Sequence, residues 1–120
     1  MATQNQAGME EIEKLLKDYQ LLQEQMRSIA MQIEQMQTQK IELERAKEEI
    51  EKSSGKIFLT IGNVIVESSK DKAKTDVIDK QSMVEIRLQS MNKQYTEMKN
   101  KDKQLNEKLT QIYKADQGQQ

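Results

Sequence analysis

Apolar residues recur along the first half of the chain in alternating steps of three and four. The series begins at Ile12 and reaches Ile50, with Lys40 and Lys47 as the only polar interruptions. This spacing is typical of the seam of a coiled coil, in which apolar residues occupy the a and d positions of a heptad. With Ile12 at an a position, the pattern predicts a first helix over residues 9–52.

A second seam occupies the other half of the chain. It runs from Val77 to Ile112, with Gln81 and Asp102 at two polar a positions, and predicts a helix over residues 70–114. The spacing from Ser68 to Asp71 resembles a capping box at the start of this helix.

The two predicted helices have matching lengths and are joined by a short connector. Each apolar stripe is too narrow to be buried alone, so we expect the helices to fold back as an antiparallel coiled coil. This pairing places Ile12 near Ile112 and Ile50 near Val77. The alternative is two helices that continue in line and pair with another chain. The polar a positions are expected to set the register: Lys40, Lys47, Gln81 and Asp102.

The connector, residues 55–69, has a different pattern. Apolar and polar residues alternate with a period of two on both sides of Gly62-Asn63, which predicts a β-hairpin with a type II′ turn. The turn pairs Ile61 with Val64 and Thr60 with Ile65, so both faces of the hairpin carry apolar side chains. The residues that define this element are Ile57, Phe58, Leu59, Ile61, Gly62, Val64, Ile65 and Val66.

An isolated hairpin of this kind is marginally stable and has two open edges. We therefore expect it to join strands from other subunits in a closed sheet such as a β-barrel. The alternative is that it only caps the coiled coil, but a helix-to-helix connection needs far fewer residues.

Composition removes most other functions. The chain has 120 residues, 35% hydrophobic and 32% charged, with no Cys, His, Pro or Trp. Thiolate and imidazole chemistry and ordinary zinc sites are therefore excluded, and we expect neither an enzyme nor a cofactor. The net charge of −1 argues against nucleic acid and membrane surfaces as partners. The longest apolar-rich run is too short to span a bilayer, so we expect a cytoplasmic protein.

The segment IFLTIGNVIVESS between two long helices resembles the hairpin of β-type subunits of the prefoldin family. The resemblance covers about residues 12–113, and its most specific part is Phe58, Ile61, Gly62 and Val64 to Val66. The second helix, with VEIRLQSMNKQYTEMKNKDKQLNEKLTQI, matches in pattern. The α-type subunits of this family carry two hairpins, whereas this connector has room for one.

The resemblance implies a hexamer of two α-type and four β-type subunits. β-Barrels built from the hairpins would hold it together, and six coiled-coil arms would project from that body. It further implies an ATP-independent holdase whose arm tips bind unfolded polypeptide clients and deliver them to a group II chaperonin. Two features depart from the family pattern: the Gln-rich residues 1–8, and Glu67, where a basic residue is frequent.

The residues near both chain ends agree with this expectation, because the apolar stripe widens there. The e positions in the middle of the first helix are polar or small: Gln23, Ala30, Gln37 and Glu44. Toward the ends they are apolar, which predicts an exposed strip. The expected client-binding tip consists of Met9, Ile12, Leu15, Leu16, Leu109, Ile112 and Tyr113. Four of these, Ile12, Leu15, Leu109 and Ile112, also fit ordinary seam positions.

The whole chain, residues 1–120, is predicted to be one domain with flexible tails at residues 1–8 and 115–120. The competing function is a structural or adaptor coiled coil that dimerises through its hairpin and tethers two partners. A holdase should bind many unfolded proteins weakly, whereas an adaptor should bind one folded protein tightly.

Overall fold

Two long helices flank a two-stranded hairpin. The computed structural model describes residues 4–118, with helix α1 at Gln4–Lys52, strand β1 at Ile57–Ile61, strand β2 at Val64–Ser68 and helix α2 at Lys70–Gly118. Each helix has 49 residues. This confirms the predicted mainly α fold with a central antiparallel hairpin. Within residues 4–118, neither helix has a stretch long and apolar enough to cross a bilayer.

Both helices extend further than the heptad pattern predicts. Residues 4–8 and 115–118, which sequence analysis assigned to flexible tails, are helical. The remaining tail positions, residues 1–3 and 119–120, lie outside the described residues. The extensions combine good helix formers, Gln and Ala, with poor ones such as Asn5 and Gly8, and their helical state agrees with the rule that lengthening an existing helix needs no new nucleation.

Helix α2 begins one residue later than the predicted cap implies. The backbone N–H of Lys72 donates a hydrogen bond of 3.1 Å to the hydroxyl oxygen of Ser69, which makes Ser69 the N-cap. Ser68 is instead the last residue of β2, and its hydroxyl donates to the carbonyl oxygen of Ser69. Ser68, which the sequence pattern assigned to the N-cap, therefore belongs to β2.

A lysine side chain at the start of α2 caps the end of α1. The ammonium of Lys70 donates to the backbone carbonyl oxygens of Glu51, at 2.8 Å, and Ser53, at 3.4 Å. These carbonyls lie at a helix C-terminus, where no partner is available within the helix. The interaction links the two helix ends on either side of the hairpin.

The chain contains two compact units, and the helices run antiparallel in each. In the unit Gln32–Met91, Lys40 forms an ion pair with Glu85 at 3.3 Å, and Glu51 forms one with Lys74 at 3.6 Å. The 11 residues from Lys40 to Glu51 along α1 are thus matched by the 11 residues from Glu85 back to Lys74 along α2, as antiparallel helices require. The buried side chains of this unit are Ala73, Val77, Val84 and Leu88.

The other unit contains the residues up to Met31 and from Asn92 onward. Here the amide nitrogen Nε2 of Gln23 donates to Oδ1 of Asp102 at 2.6 Å. Leu15 and Leu22 are buried, and Ile12 lies with Ile112 along one groove, as the predicted register requires. Asp102 is therefore a polar seam residue with a defined partner on the other helix.

The predicted seam is the buried surface of both helices. Every predicted a and d side chain in the described part of the chain is buried or half-buried, except that of Lys40. That side chain is exposed because its ammonium reaches Glu85 at the edge of the seam. The heptad assignment therefore predicts the packing almost position by position.

The hairpin also has the predicted register. Ile61 is opposite Val64, Leu59 opposite Val66 and Thr60 opposite Ile65. Gly62 has a φ of 59°, and no non-glycine residue in the described range has a positive φ. A positive φ at the first of the two central residues alone is typical of a type II′ turn.

Candidate functional site

The hairpin has two chemically different faces. Because side chains alternate along a strand, Ile57, Leu59, Ile61, Val64 and Val66 share one face, which is aliphatic except for Ser68 opposite Ile57. The opposite face combines apolar and polar residues: Phe58, Thr60, Ile65 and Glu67. Near this second face, the ammonium of Lys56 approaches the carboxylate of Glu67 at 4.0 Å.

Most of the apolar surface of the hairpin is exposed. Ile57 and Leu59 are half-buried, and Ile57 lines a pocket with Ile50 at the end of α1. The other apolar hairpin residues are exposed by 43% to 70%: Phe58, Ile61, Val64, Ile65 and Val66. Such a concentration of apolar side chains on ten strand residues is typical of a surface that contacts another protein.

Both edges of the hairpin are available for strand pairing. A two-residue turn makes the flanking pair, Ile61 and Val64, a hydrogen-bonded pair, and the pairs alternate from there. The backbone N–H and C=O groups of Phe58 and Thr60 on β1 therefore point away from β2. On β2, those of Ile65 and Glu67 point away from β1. Each edge can thus accept a further strand.

The two sides of the paired helices differ in character. Antiparallel pairing brings the e positions of both helices to one side and the g positions to the other. We call these sides the e flank and the g flank. Three side-chain contacts join an e position of one helix to an a position of the other: Gln23 to Asp102 in one unit, and Lys40 to Glu85 and Glu51 to Lys74 in the other.

Near the two chain ends, the e flank forms an apolar groove of about 370 Å³, the chain-end groove. Its seven lining residues carry no charge: Ile12, Leu16, Asn106, Leu109, Thr110, Ile112 and Tyr113. Leu16 is 45% exposed and Tyr113 is 63% exposed, whereas Ile12, Leu109 and Ile112 are half-buried. The groove can therefore accept one or two apolar side chains, with an amide and a hydroxyl at its rim.

The structure brings together five of the seven residues predicted for the client-binding tip, namely Ile12, Leu16, Leu109, Ile112 and Tyr113. Leu15 is 9% exposed and belongs to the buried seam. Met9 is exposed on the same flank, one heptad before Leu16, but does not line the groove.

Two groove residues escaped the sequence analysis because they are polar. Asn106 occupies an e position and Thr110 a b position of α2, beside the seam residue Leu109. Their positions face the same flank as Tyr113, so the heptad assignment of α2 contained the signal. A search restricted to apolar residues could not find them.

Comparison with known proteins identifies one family. The profile of the family described as prefoldin subunit matches residues 13–116. A prefoldin subunit beta from Pyrococcus furiosus is 30% identical over 101 residues, which cover 82% of this chain and 86% of the relative. The prefoldin subunit beta from Methanococcoides burtonii is 32% identical over 103 residues, which cover 84% of this chain and 88% of the relative.

A solved structure agrees in fold. The crystal structure of the prefoldin beta subunit from Thermococcus strain KS-1 matches with a TM-score of 0.77 and 25% identity. The match covers 84% of this chain and 90% of that chain. Prefoldin subunits are components of chaperones that assemble with other subunits. The relatives compared above are β subunits, and the chain belongs to the prefoldin family.

Proposed function

We propose that this protein is a β-type subunit of an ATP-independent holdase. It captures unfolded polypeptides in the chain-end groove and assembles through its hairpin with an α-type subunit, in a hexamer of two α-type and four β-type chains. The assembled chaperone delivers its clients to a group II chaperonin. The chain itself carries out recognition and assembly, and no chemical step is involved.

The uncharged lining of the chain-end groove is the observation that carries the proposal. A holdase must bind many sequences, so its surface should bind apolar side chains without requiring a particular charge beside them. Leu16 and Tyr113 provide exposed apolar area, and a half-buried seam floor lies between them. Asn106 and Thr110 add hydrogen-bonding groups that suit the backbone of an unfolded client.

Buried seam residues lie beneath this groove. Leu15 and Leu22 are buried in the same unit, and the hydrogen bond from Gln23 to Asp102 fixes the helices in register. A groove on a packed helix pair changes little when a client binds, so little ordering entropy opposes capture. Exposed side chains such as Met9 can adapt to clients of different shape.

The exposed hairpin supports the assembly half of the proposal. Burying the side chains of Ile61 and Ile65, which are 65% and 70% exposed, would contribute about 1–2 kcal/mol each. Strands added at both edges would also satisfy the outward backbone groups of Thr60 and Glu67. A closed sheet of several hairpins provides both effects together.

The proposal is tested by removing the exposed side chains of the groove. In the double variant Leu16→Ser/Tyr113→Ser, we expect loss of about 2 kcal/mol of client affinity, roughly 30-fold. The matched control is Met31→Ser/Ile86→Ser, which removes two apolar side chains of 58% and 66% exposure that lie outside the groove. Suppression of aggregation of several denatured proteins is measured after assembly with an α-type prefoldin subunit.

The groove variant should assemble normally and lose most suppression of aggregation, whereas the control should retain it. Equal loss in both variants would mean that exposed apolar area anywhere on the helices binds clients. Full activity of the groove variant would refute the proposed site. Tight binding to a single folded protein, without suppression of aggregation, would favour an adaptor instead.

A further inference from the structure

A second groove lies in the same unit on the g flank. It has a volume of about 340 Å³ and an apolar floor formed by Leu21, Leu22, Met98 and Leu105. Leu22 is buried, whereas Leu21 is 55% exposed at a c position, where a coiled coil normally has a polar residue. We call this the lysine groove because of its walls.

The walls of the lysine groove are charged, unlike those of the chain-end groove. Lys101 and Lys108, one heptad apart at g positions, form the α2 wall, and Asp18 lies on the α1 wall. No ion pair involves any of these three side chains among the described residues. The groove therefore offers two ammonium groups and one carboxylate beside an apolar floor, with a net charge of +1.

We propose that the lysine groove is a second client subsite, selective for aliphatic segments flanked by acidic residues. The proposal rests on the holdase function above and extends it by naming a class of client sequence. An aliphatic side chain would contact Leu21 and Leu105 on the floor, and flanking carboxylates would pair with Lys101 and Lys108. Basic residues flanking the same segment would be repelled by this wall.

The spacing of the two lysines indicates the spacing of the acidic groups. Seven residues of helix separate Lys101 from Lys108 by about 10 Å. In an extended polypeptide, about three residues cover this distance. The two Glu side chains of an extended Glu-Leu-Leu-Glu segment point to opposite faces, and the long, flexible lysine stems can reach a carboxylate on either face. Segments of this composition would bind here, while uncharged apolar segments would prefer the chain-end groove.

Three labelled peptides test the proposal by fluorescence anisotropy of their binding to the chain. They share one soluble frame and differ in a core of Glu-Leu-Leu-Glu, Ser-Leu-Leu-Ser or Lys-Leu-Leu-Lys. The groove variant is Lys101→Gln/Lys108→Gln. Its matched control, Lys93→Gln/Lys103→Gln, makes the same change of charge at two α2 positions outside the groove.

We expect the acidic peptide to bind about tenfold tighter than the basic one, with the difference falling as salt is raised. Lys101→Gln/Lys108→Gln should weaken the acidic peptide about tenfold and leave the serine peptide unchanged. The control variant should change either affinity less than about twofold.

Equal weakening of the acidic peptide by both double variants would overturn the proposal, because only the overall charge of α2 would then matter. Equal binding of the acidic and basic peptides would overturn it as well. Failure of the holdase proposal is seen separately: the serine peptide would then be insensitive to Leu16→Ser/Tyr113→Ser. If that variant abolished binding of the acidic peptide while Lys101→Gln/Lys108→Gln did not, the chain-end groove would be the acidic site.

Discussion

Replacing Thr60 by proline would test strand pairing at the hairpin edge without disturbing the hairpin itself. Thr60 is opposite Ile65, in a pair whose backbone groups point outward. Proline at such a position removes no hydrogen bond between β1 and β2, and it is tolerated on an edge strand. The same substitution blocks a strand that would add to this edge, because the N–H donor is lost and the ring occupies its place.

The size of the effect follows from one interaction lost per subunit contact. A buried carbonyl left without its donor costs about 1–3 kcal/mol, which weakens association about 5- to 150-fold. The ion pair between Lys56 and Glu67, at 4.0 Å, contributes little that could offset this loss, because both side chains are largely exposed. Thr60→Pro should therefore leave the helical circular dichroism signal unchanged and weaken assembly strongly.

The assay is native mass spectrometry during titration with an α-type prefoldin subunit. Thr60→Val is the control, because it keeps both the backbone donor and a β-branched side chain. Glu67→Pro repeats the test on the opposite edge, where the N–H of Glu67 points away from β1. If both proline variants assembled as tightly as Thr60→Val, pairing at strand edges would be refuted, and only side-chain contacts could hold the subunits.

Two further predictions concern stability, and a third concerns assembly. Leu22 and Leu88 are only 6% and 5% exposed, so replacing either by alanine should lower the free energy of unfolding by about 2–4 kcal/mol in urea titrations. Leu16→Ala should lower it by less than about 1 kcal/mol. Equal losses at the three positions would contradict the seam assignment. Asp102→Leu should raise the free energy of unfolding by about 1 kcal/mol in the same titrations, because a polar a position fixes register at a cost in stability. A marked loss of stability would show that the hydrogen bond between Gln23 and Asp102 outweighs apolar packing. Gly62→Ala should weaken assembly in native mass spectrometry, because a φ of 59° costs a non-glycine residue about 1–2 kcal/mol and so destabilises the hairpin that assembles. Unchanged assembly would mean that the turn relaxes without strain.

The heptad and hairpin patterns predicted most of the fold because both depend on local periodicity. Steps of three and four from Ile12 to Ile50 can bury only one stripe of a helix, and the turn at Gly62 fixes the register of two short strands. The ends of elements were less predictable. Gln4 and Gly118 lie beyond the apolar seam, where no heptad position marks the end of a helix, and Ser69 competes with Ser68 for the same cap.

The candidate site was only partly predictable, because exposure depends on the partner helix. Leu15 and Leu16 are adjacent in sequence, yet one is buried in the seam and the other lines the groove. Polar members such as Asn106 carry no apolar signal. The lysine groove was missed because Leu21 lies off the seam, and its neighbours Lys101 and Lys108 belong to the other helix. Which side chains of the two helices cluster in such a groove depends on the register of the helix pair, and the seam of one helix alone does not define that register.

Site-specific photocrosslinking shows directly whether the chain-end groove contacts unfolded polypeptides. A benzophenone amino acid replaces Tyr113 in one variant and Ile86 in another, because the two side chains have similar exposures of 63% and 66%. Each variant is assembled with an α-type prefoldin subunit and irradiated with several chemically denatured proteins and their folded forms. We expect crosslinks from position 113 to the denatured proteins only, and few from position 86. Equal crosslinking from both positions, or capture of folded proteins from position 113, would contradict this expectation.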